Sequence, residues 1–134
     1  MSNYYVALIS SFRPDVHITL DYHKNLNADE VHELCNSIND LVEKHKPEAF
    51  DLKWDFEGWF GRNNSVRVLQ PRIGSAMMPP WVYEFVSKPM SWNPHISCSD
   101  EEIELRIDRV SVMCRSVEIA IWSLEKDPGK KYHD

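Results

Sequence analysis

The chain has 134 residues, of which 43% are hydrophobic and 27% are charged, and its formal net charge is −6. This length and balance fit one compact domain and exclude a largely disordered protein. The negative charge opposes binding to a long polyanion, so duplex DNA is not an expected partner and a small ligand is favoured. The three cysteines are widely spaced and form no CxxC pair. Such spacing is typical of reduced thiols in the cytoplasm and not of a disulfide framework.

No apolar stretch is long enough to cross a bilayer, and no basic region precedes the first apolar run, so the sequence predicts neither a membrane partner nor an export signal. We expect a cytoplasmic protein and a monomer.

The first third of the chain predicts two strands and a helix. Aromatic and β-branched residues cluster at 4–10, the segment FRPD supplies a turn, and HITLDYH at 17–23 forms a second strand. From Asn27 the apolar residues recur at helical spacing. Asn27 and Glu30 are placed as a capping box, and Pro47 ends the helix.

The middle of the chain predicts a hairpin followed by a short helix. Residues 48–57 alternate strictly between apolar and charged side chains, which is typical of a half-buried strand. Its apolar face carries Phe50, Leu52, Trp54 and Phe56. The turn signal GRNN connects this strand to its hairpin partner SVRVLQ. Residues 80–88 predict a short helix that proline opens.

The last third predicts a strand around His95, a short helix from Ser99 with Glu102 as its capping partner, and two final strands, RVSVMCR and VEIAIWSL. We expect a single domain over residues 1–124 and a flexible tail over 125–134. The order of the elements also predicts that one unit of strands, helix and hairpin is used twice.

The pattern His-x-hydroxyl occurs in both halves, as HIT at 17–19 and as HIS at 95–97. On a strand, residues i and i+2 share a face, so each histidine points with its hydroxyl while the isoleucine between them points into the core. If the two strands lie close together, two imidazoles and two hydroxyls converge on one cleft. Two imidazoles can act as base and acid on a phosphodiester near neutral pH, and the hydroxyls can hold the phosphate. The alternative is a pair of unrelated histidines that serve only stability.

The residues HITL at 17–20 and HISC at 95–98 resemble the twin H-x-[ST]-x signature of the 2H phosphoesterase superfamily. The resemblance implies an α+β bilobal fold, in which two antiparallel sheets with flanking helices surround a central cleft. It also implies His17 and His95 as acid and base, Thr19 and Ser97 as phosphate holders, and a hydrolase that needs no metal or other cofactor.

The chain resembles most the small phage-type members of that superfamily. They imply cleavage of 3′-5′ bonds in cyclic di- or trinucleotide signals as an anti-defence activity. An RNA-end enzyme, either a 2′,3′-cyclic phosphodiesterase or a 2′-5′ RNA ligase-like protein, is the first alternative and shares the same site. A nucleotide-binding module without catalysis is the second.

Three further residues are candidate substrate contacts. Arg13 precedes the first motif and can meet a phosphate, while the aromatic faces of Tyr5 and Trp92 can stack on bases. An ordinary packing or solvated role is the alternative for each of them.

Two other groups of side chains have alternative interpretations. Trp59, Arg62 and Arg67 surround the GRNN turn, as a flap over a nucleotide or as an ordinary hairpin tip. Glu118 is expected on the face of Trp122, where it either orients a nucleotide or lies in solvent.

Strand alternation also places His17, Asp21 and His23 on one face. His17 and His23 would lie about 20 Å apart along an extended strand, too far to share a metal ion. A metal bound by Asp21, His17 and His95 stays open.

Overall fold

A computed structural model describes residues 1–71 and 78–124 of the chain. The described strands and helix are β1 (Ser2–Ser10), β2 (Arg13–Leu26), α1 (Ala28–His45), β3 (Phe50–Phe60), β4 (Val66–Pro71), β5 (Ile103–Ile107), β6 (Arg109–Cys114) and β7 (Val117–Ser123). Short 3-10 helices occupy Arg62–Asn64, Pro80–Phe85 and Pro89–Ser91. The predicted tail at 125–134 lies outside the described residues.

Two antiparallel sheets form the frame of the molecule. The first has four strands in the order β2-β1-β6-β7, and the second has three in the order β4-β3-β5. The largest hydrophobic cluster includes Leu8 of the first sheet, Leu52 of the second, Ile38 of α1 and Val82 of the longest 3-10 helix. The α+β, two-sheet fold that the sequence predicts is therefore confirmed, and one core joins the two sheets.

The helix α1 begins and ends where its caps require. The side chain of Asn27 accepts from the Glu30 N–H at 2.9 Å, and the Glu30 carboxylate accepts from the Asn27 N–H at 2.9 Å. Lys46 follows the helix in the left-handed conformation, with φ 47° and ψ 56°, directly before Pro47. The predicted capping box is confirmed, because both helix-end donors are satisfied locally. None of the helices in the described ranges has the length and apolarity that crossing a bilayer requires.

The predicted hairpin of β3 and β4 is confirmed, but the face of β3 changes along its length. A register shift between Trp54 and Phe56 marks a bulge in this strand. Leu52 and Trp54 are buried, whereas Phe56 is 48% exposed. The prediction that Phe56 shares their face is wrong, because an inserted bulge residue reverses the alternation beyond it.

A second bulge, in β2, separates Asp21 from the first motif. In the pairing of β1 with β2, Ala7 lies opposite Thr19, but the next residue, Val6, lies opposite Asp21. The extra residue turns Asp21 to the core face of the sheet, where its carboxylate lies 3.2 Å from Nε2 of His23. The expected common face of His17 and Asp21 is therefore wrong, and the metal site that required both residues is not formed.

A third bulge, between β6 and β7, moves Glu118. Val112 pairs with Ala120, but Met113 pairs with Glu118. Glu118 therefore points away from the face of Trp122, contrary to the prediction. It accepts a hydrogen bond from the Ser111 hydroxyl at 2.6 Å and lies 3.1 Å from Nη2 of Arg109.

The segment around the second motif is not a full strand, and the helix predicted from Ser99 is not formed. Ile96 makes a single bridge to Leu69, with both hydrogen bonds at 2.9 Å. Residues 97–102 form a loop, and the alternating residues that follow form β5, which the helix prediction missed. The Asp100 carbonyl, which a helix starting at Ser99 would use in its own ladder, accepts from Arg67 at 3.0 Å, as does the preceding Cys98 carbonyl. The predicted repeat of one unit is thus incomplete in its second half.

Candidate active site

The first motif lies on β2 with its polar side chains on one face. His17 pairs with Ile9 and Thr19 pairs with Ala7, so both side chains stand on the face of β1 that carries Ala7 and Ile9. Ile18, between them, is 1% exposed and belongs to the main core on the opposite face. This is the arrangement that strand alternation predicts, and it fixes the direction of the imidazole and the hydroxyl through a buried anchor.

The imidazole of His17 packs against an aromatic pair. Its ring centroid lies 5.2 Å from that of Tyr5, which lies 5.5 Å from that of Tyr22 in a stacked arrangement. The Tyr5 hydroxyl donates to the Arg115 carbonyl at 2.6 Å, and Tyr5 is 8% exposed. Tyr5 therefore supports His17 from the side and offers little open surface on which a base could stack.

Burial lowers the pKa of His17 below its ordinary value of 6.5, and the charge of His95 lowers this pKa further. Both causes disfavour the imidazolium form, because desolvation and a neighbouring positive charge each oppose protonation. His17 is consequently a neutral imidazole at neutral pH. The second cause also means that the two histidines, which come from distant parts of the chain, lie within electrostatic reach of each other.

The second motif is oriented by its own backbone and by β3. Nδ1 of His95 lies 2.9 Å from the Asn93 carbonyl oxygen. A carbonyl only accepts, so Nδ1 carries the hydrogen and Nε2 is the nitrogen left for chemistry. Phe60 packs on the imidazole with ring centroids 4.3 Å apart. Ile96 is buried beneath the motif, while Ser97 is exposed.

Trp92 connects the two motif segments directly. Its indole Nε1 donates to the backbone carbonyl of Thr19 at 3.0 Å. Tyr83 packs edge-on against the indole at a centroid distance of 5.7 Å. Trp92, a predicted base-stacking residue, therefore braces the chain before His95 against the strand that carries His17.

Arg67 holds the loop that follows the second motif. Besides its bonds to the Cys98 and Asp100 carbonyls, its Nε lies 2.5 Å from Oε2 of Glu57. The flap interpretation is wrong for Arg67, because its guanidinium is used to position the loop after Ser97. Trp59 remains 51% exposed on the hairpin.

Arg13, the predicted phosphate contact, is engaged by carboxylates. Its guanidinium lies 3.0 Å from Asp15 and 3.4 Å from Asp100, and these two partners raise its pKa. The pair with Asp100 ties the start of β2 to the loop after the second motif. A phosphate approaching Arg13 would have to compete with both carboxylates.

Sequence reasoning missed the two groups that orient His95, namely the ring of Phe60 and the backbone carbonyl of Asn93. One signal was present for Asn93, because the following Pro94 restricts it to extended conformations and so directs its carbonyl. Phe60 lies beyond the bulge of β3, and no pattern placed it near His95. Among the residues that the structure describes, no three His, Cys, Asp or Glu side chains come together as a metal-binding group.

No protein-family model matches the chain, and no curated protein matches its sequence. Its fold, in contrast, is similar to solved structures. Escherichia coli LigT complexed with ATP has a TM-score of 0.63 and 13% identity, over 93% of this chain and 98% of that chain. A crystal structure of a phosphoesterase has a TM-score of 0.62 and 12% identity, over 94% and 100%. LigT complexed with 3′-AMP has a TM-score of 0.59 and 13% identity, over 93% and 99%. The chain therefore has the two-sheet α+β fold of the LigT-like 2H phosphoesterases.

Proposed function

We propose that the protein is a metal-independent phosphodiesterase in which His17 and His95 act as base and acid. The observation that carries this proposal is the hydrogen bond from the Trp92 indole to the Thr19 carbonyl, which holds the segment before His95 against the strand that carries His17. His17 is half-buried and its pKa is lowered, which suits a base. His95 directs Nε2 away from its bond to Asn93, which suits an acid that delivers a proton from that nitrogen.

In the first step, Nε2 or Nδ1 of His17 takes the proton of a ribose 2′-hydroxyl. The resulting oxygen attacks the adjacent phosphorus, and His95 protonates the 5′-oxygen as its bond to phosphorus breaks. The products are a 2′,3′-cyclic phosphate and a 5′-hydroxyl. Water then opens the cyclic phosphate with the two roles exchanged, which restores both histidines to their starting protonation states.

Thr19 and Ser97 are assigned to the non-bridging phosphate oxygens. Thr19 stands on the same face of β2 as His17, and Ser97 follows His95 at the same spacing. Hydroxyl donors held by a rigid backbone stabilise charge that develops on a phosphate, at no cost in reorganisation. Thr19 is the better fixed of the two, since Trp92 holds its own carbonyl.

The proposed substrates are cyclic di- or trinucleotide signals, cleaved at a 3′-5′ bond in an anti-defence role of the phage type. The small size and net negative charge of the chain, together with the residue sequence of its first motif, support a cyclic oligonucleotide substrate over long RNA. An RNA-end 2′,3′-cyclic phosphodiesterase is the second candidate. It is favoured by the likeness to LigT complexed with 3′-AMP, a nucleotide with a phosphate on its 3′-oxygen.

The test is incubation of the protein in EDTA with 3′,3′-cyclic dinucleotides, a cyclic trinucleotide and a short RNA that ends in a 2′,3′-cyclic phosphate, read by chromatography. We expect linear products from the cyclic oligonucleotides. Preferential opening of the 2′,3′-cyclic phosphate at the RNA end would indicate an RNA-end phosphodiesterase instead. Binding of these ligands without any turnover would contradict the phosphodiesterase assignment and favour a nucleotide-binding module without catalysis.

A further inference from the structure

A pocket of about 300 Å³ lies at the end of β1 and β2 that is remote from their connecting turn. Its volume is at the lower end of the range of small-molecule sites. The side chains that line it include Asn3, Tyr5, Tyr22, Asn25, Cys114 and Arg115. No carboxylate of the described residues lines this pocket, although the chain as a whole has a net charge of −6. The local charge is therefore positive, which suits an anionic ligand.

Tyr22 offers an exposed aromatic face to this pocket. It pairs with Tyr5 beyond the bulge in β2, so both rings stand on the face of the sheet that carries His17 and Thr19. The two rings stack with an interplanar angle of 18°, and Tyr22 is 60% exposed. Tyr5 thus covers one side of the Tyr22 ring and leaves the other side open. An open aromatic face in a fixed position accepts any base by stacking.

Arg115 supplies the positive charge of the pocket. It is exposed, and within the described ranges no carboxylate pairs with it. The arginines that do pair with carboxylates are Arg13, Arg67, Arg106 and Arg109. The Arg115 carbonyl accepts from the Tyr5 hydroxyl at 2.6 Å, and the Tyr5 ring contacts the imidazole of His17, so one tyrosine spans the distance between Arg115 and the first motif. The guanidinium is left for a ligand and can bind a phosphate through two parallel hydrogen bonds.

The backbone at Arg115 favours other residue types. Cys114 pairs with Val117, so Arg115 and Ser116 form a two-residue turn between β6 and β7. Arg115 has φ 59°, in the left-handed region, which glycine and asparagine adopt at less cost than arginine does. The turn itself is thus better served by another residue, and a role of the side chain in ligand binding accounts for the arginine.

We infer that this pocket binds a second nucleotide of the substrate, with its base on Tyr22 and its phosphate on Arg115. The first phosphate lies at the two motifs, on the other side of Tyr5. The preferred substrate then has at least two nucleotides and two phosphates, as a cyclic dinucleotide does. The inference rests on the proposed function, because the second nucleotide is defined relative to the phosphate that is cleaved.

The test compares the binding of two ligands to His17→Ala, in which the proposed catalysis does not consume them. A 3′,3′-cyclic dinucleotide has two phosphates, whereas a dinucleoside monophosphate has two bases and one phosphate. Adding Arg115→Asn should weaken the cyclic dinucleotide about tenfold, the effect of a lost hydrogen bond between charged groups, and leave the dinucleoside monophosphate unchanged. Adding Tyr22→Leu should weaken both ligands about tenfold. Lys44→Met, an exposed cation on α1, is the control and should change neither.

Calorimetry measures the affinities, and NMR of the backbone amides should show ligand-induced shifts at residues 22–25 and 114–116. Arg115→Asn should also raise the urea midpoint of unfolding, because asparagine adopts the left-handed conformation at less cost. Weaker binding by this variant is then separated from a loss of the fold.

An unchanged affinity for the cyclic dinucleotide in Arg115→Asn, equal losses for both ligands in that variant, or shifts confined to other parts of the chain would overturn the subsite. If the affinities change as expected but the wild type cleaves no dinucleotide, the pocket stands as a nucleotide site and the phosphodiesterase assignment fails. Cleavage by the wild type together with an unchanged affinity in Arg115→Asn gives the opposite result.

Discussion

His17 owes its low pKa to two causes of different origin, burial in its own sheet and the charge of a histidine from the other half of the chain. Burial is the larger cause, so a base at this position does not depend on His95 for its neutrality. The contribution of His95 to the pKa of His17 depends on how close the two halves of the site bring the two imidazoles. Both causes can be separated by substitution.

Replacement of His95 by Gln should raise the pKa of His17 but leave it below 6.5, because only the smaller cause is removed. Titration of the His17 ring protons by NMR measures the shift, and His32→Gln, an exposed histidine on α1, is the control. An unchanged pKa in His95→Gln would show that the imidazoles do not interact. A wild-type pKa at or above 6.5 would contradict the burial of His17.

The same pKa has a consequence for stability. The unfolded chain binds a proton at His17 near pH 6.5, whereas the folded chain resists it, so the stabilisation is present above 6.5 and is lost as the pH falls through the folded value. Urea unfolding at neutral and mildly acidic pH should show a decrease in the free energy of unfolding that is smaller in His17→Asn. An equal decrease in both proteins would place its origin in other groups.

At the level of the elements, α1 depends on its N-terminal capping box. Asn27→Ala should lower the free energy of unfolding by about 1 kcal/mol, because it removes the acceptor for the Glu30 N–H. Asn36→Ala, on the exposed surface of the same helix, should cause no loss, since alanine has the higher helix propensity. Chemical denaturation compares the two variants, and a similar loss in both would argue against a specific role of the cap.

The loop after the second motif depends on Arg67. Arg67→Met removes the bonds to the Cys98 and Asp100 carbonyls and should reduce kcat more than it changes KM, because Ser97 and His95 lose a neighbouring anchor. Arg62→Met, an exposed arginine on the same hairpin, is the matched control and should keep wild-type kinetics. Equal effects of the two substitutions would contradict the positioning role.

The sequence predicted most of the strands and the helix, but not the bulges within the strands. Alternation and capping predicted β1, β2, α1, the β3–β4 hairpin and the last two strands, because each depends on residues close in sequence. The bulges near Leu20, Asp55 and Ile119 were not predicted, since a bulge is fixed by the partner strand and leaves no periodic signal. They decide where Asp21, Phe56 and Glu118 point.

For the molecule as a whole, the two motifs predicted the polar pair on β2, and their resemblance to the 2H phosphoesterases implied the two-sheet α+β fold. They did not predict the side chains that hold the site together across the two sheets. Trp92, Arg67 and Phe60 each contact a motif from a segment distant in sequence. Such contacts follow from the packing of the sheets, and the short bridge at Ile96 replaces the strand that the sequence predicts.

Catalysis by two histidines without a metal is tested by the turnover of a 3′,3′-cyclic dinucleotide by substoichiometric protein in EDTA, beside His17→Ala, His95→Ala and His32→Ala. We predict many turnovers for the wild type and for His32→Ala, and a loss of kcat of about a hundredfold or more in each of the other two variants. Wild-type activity that survives either substitution, or that EDTA abolishes, would contradict two-histidine catalysis without a metal.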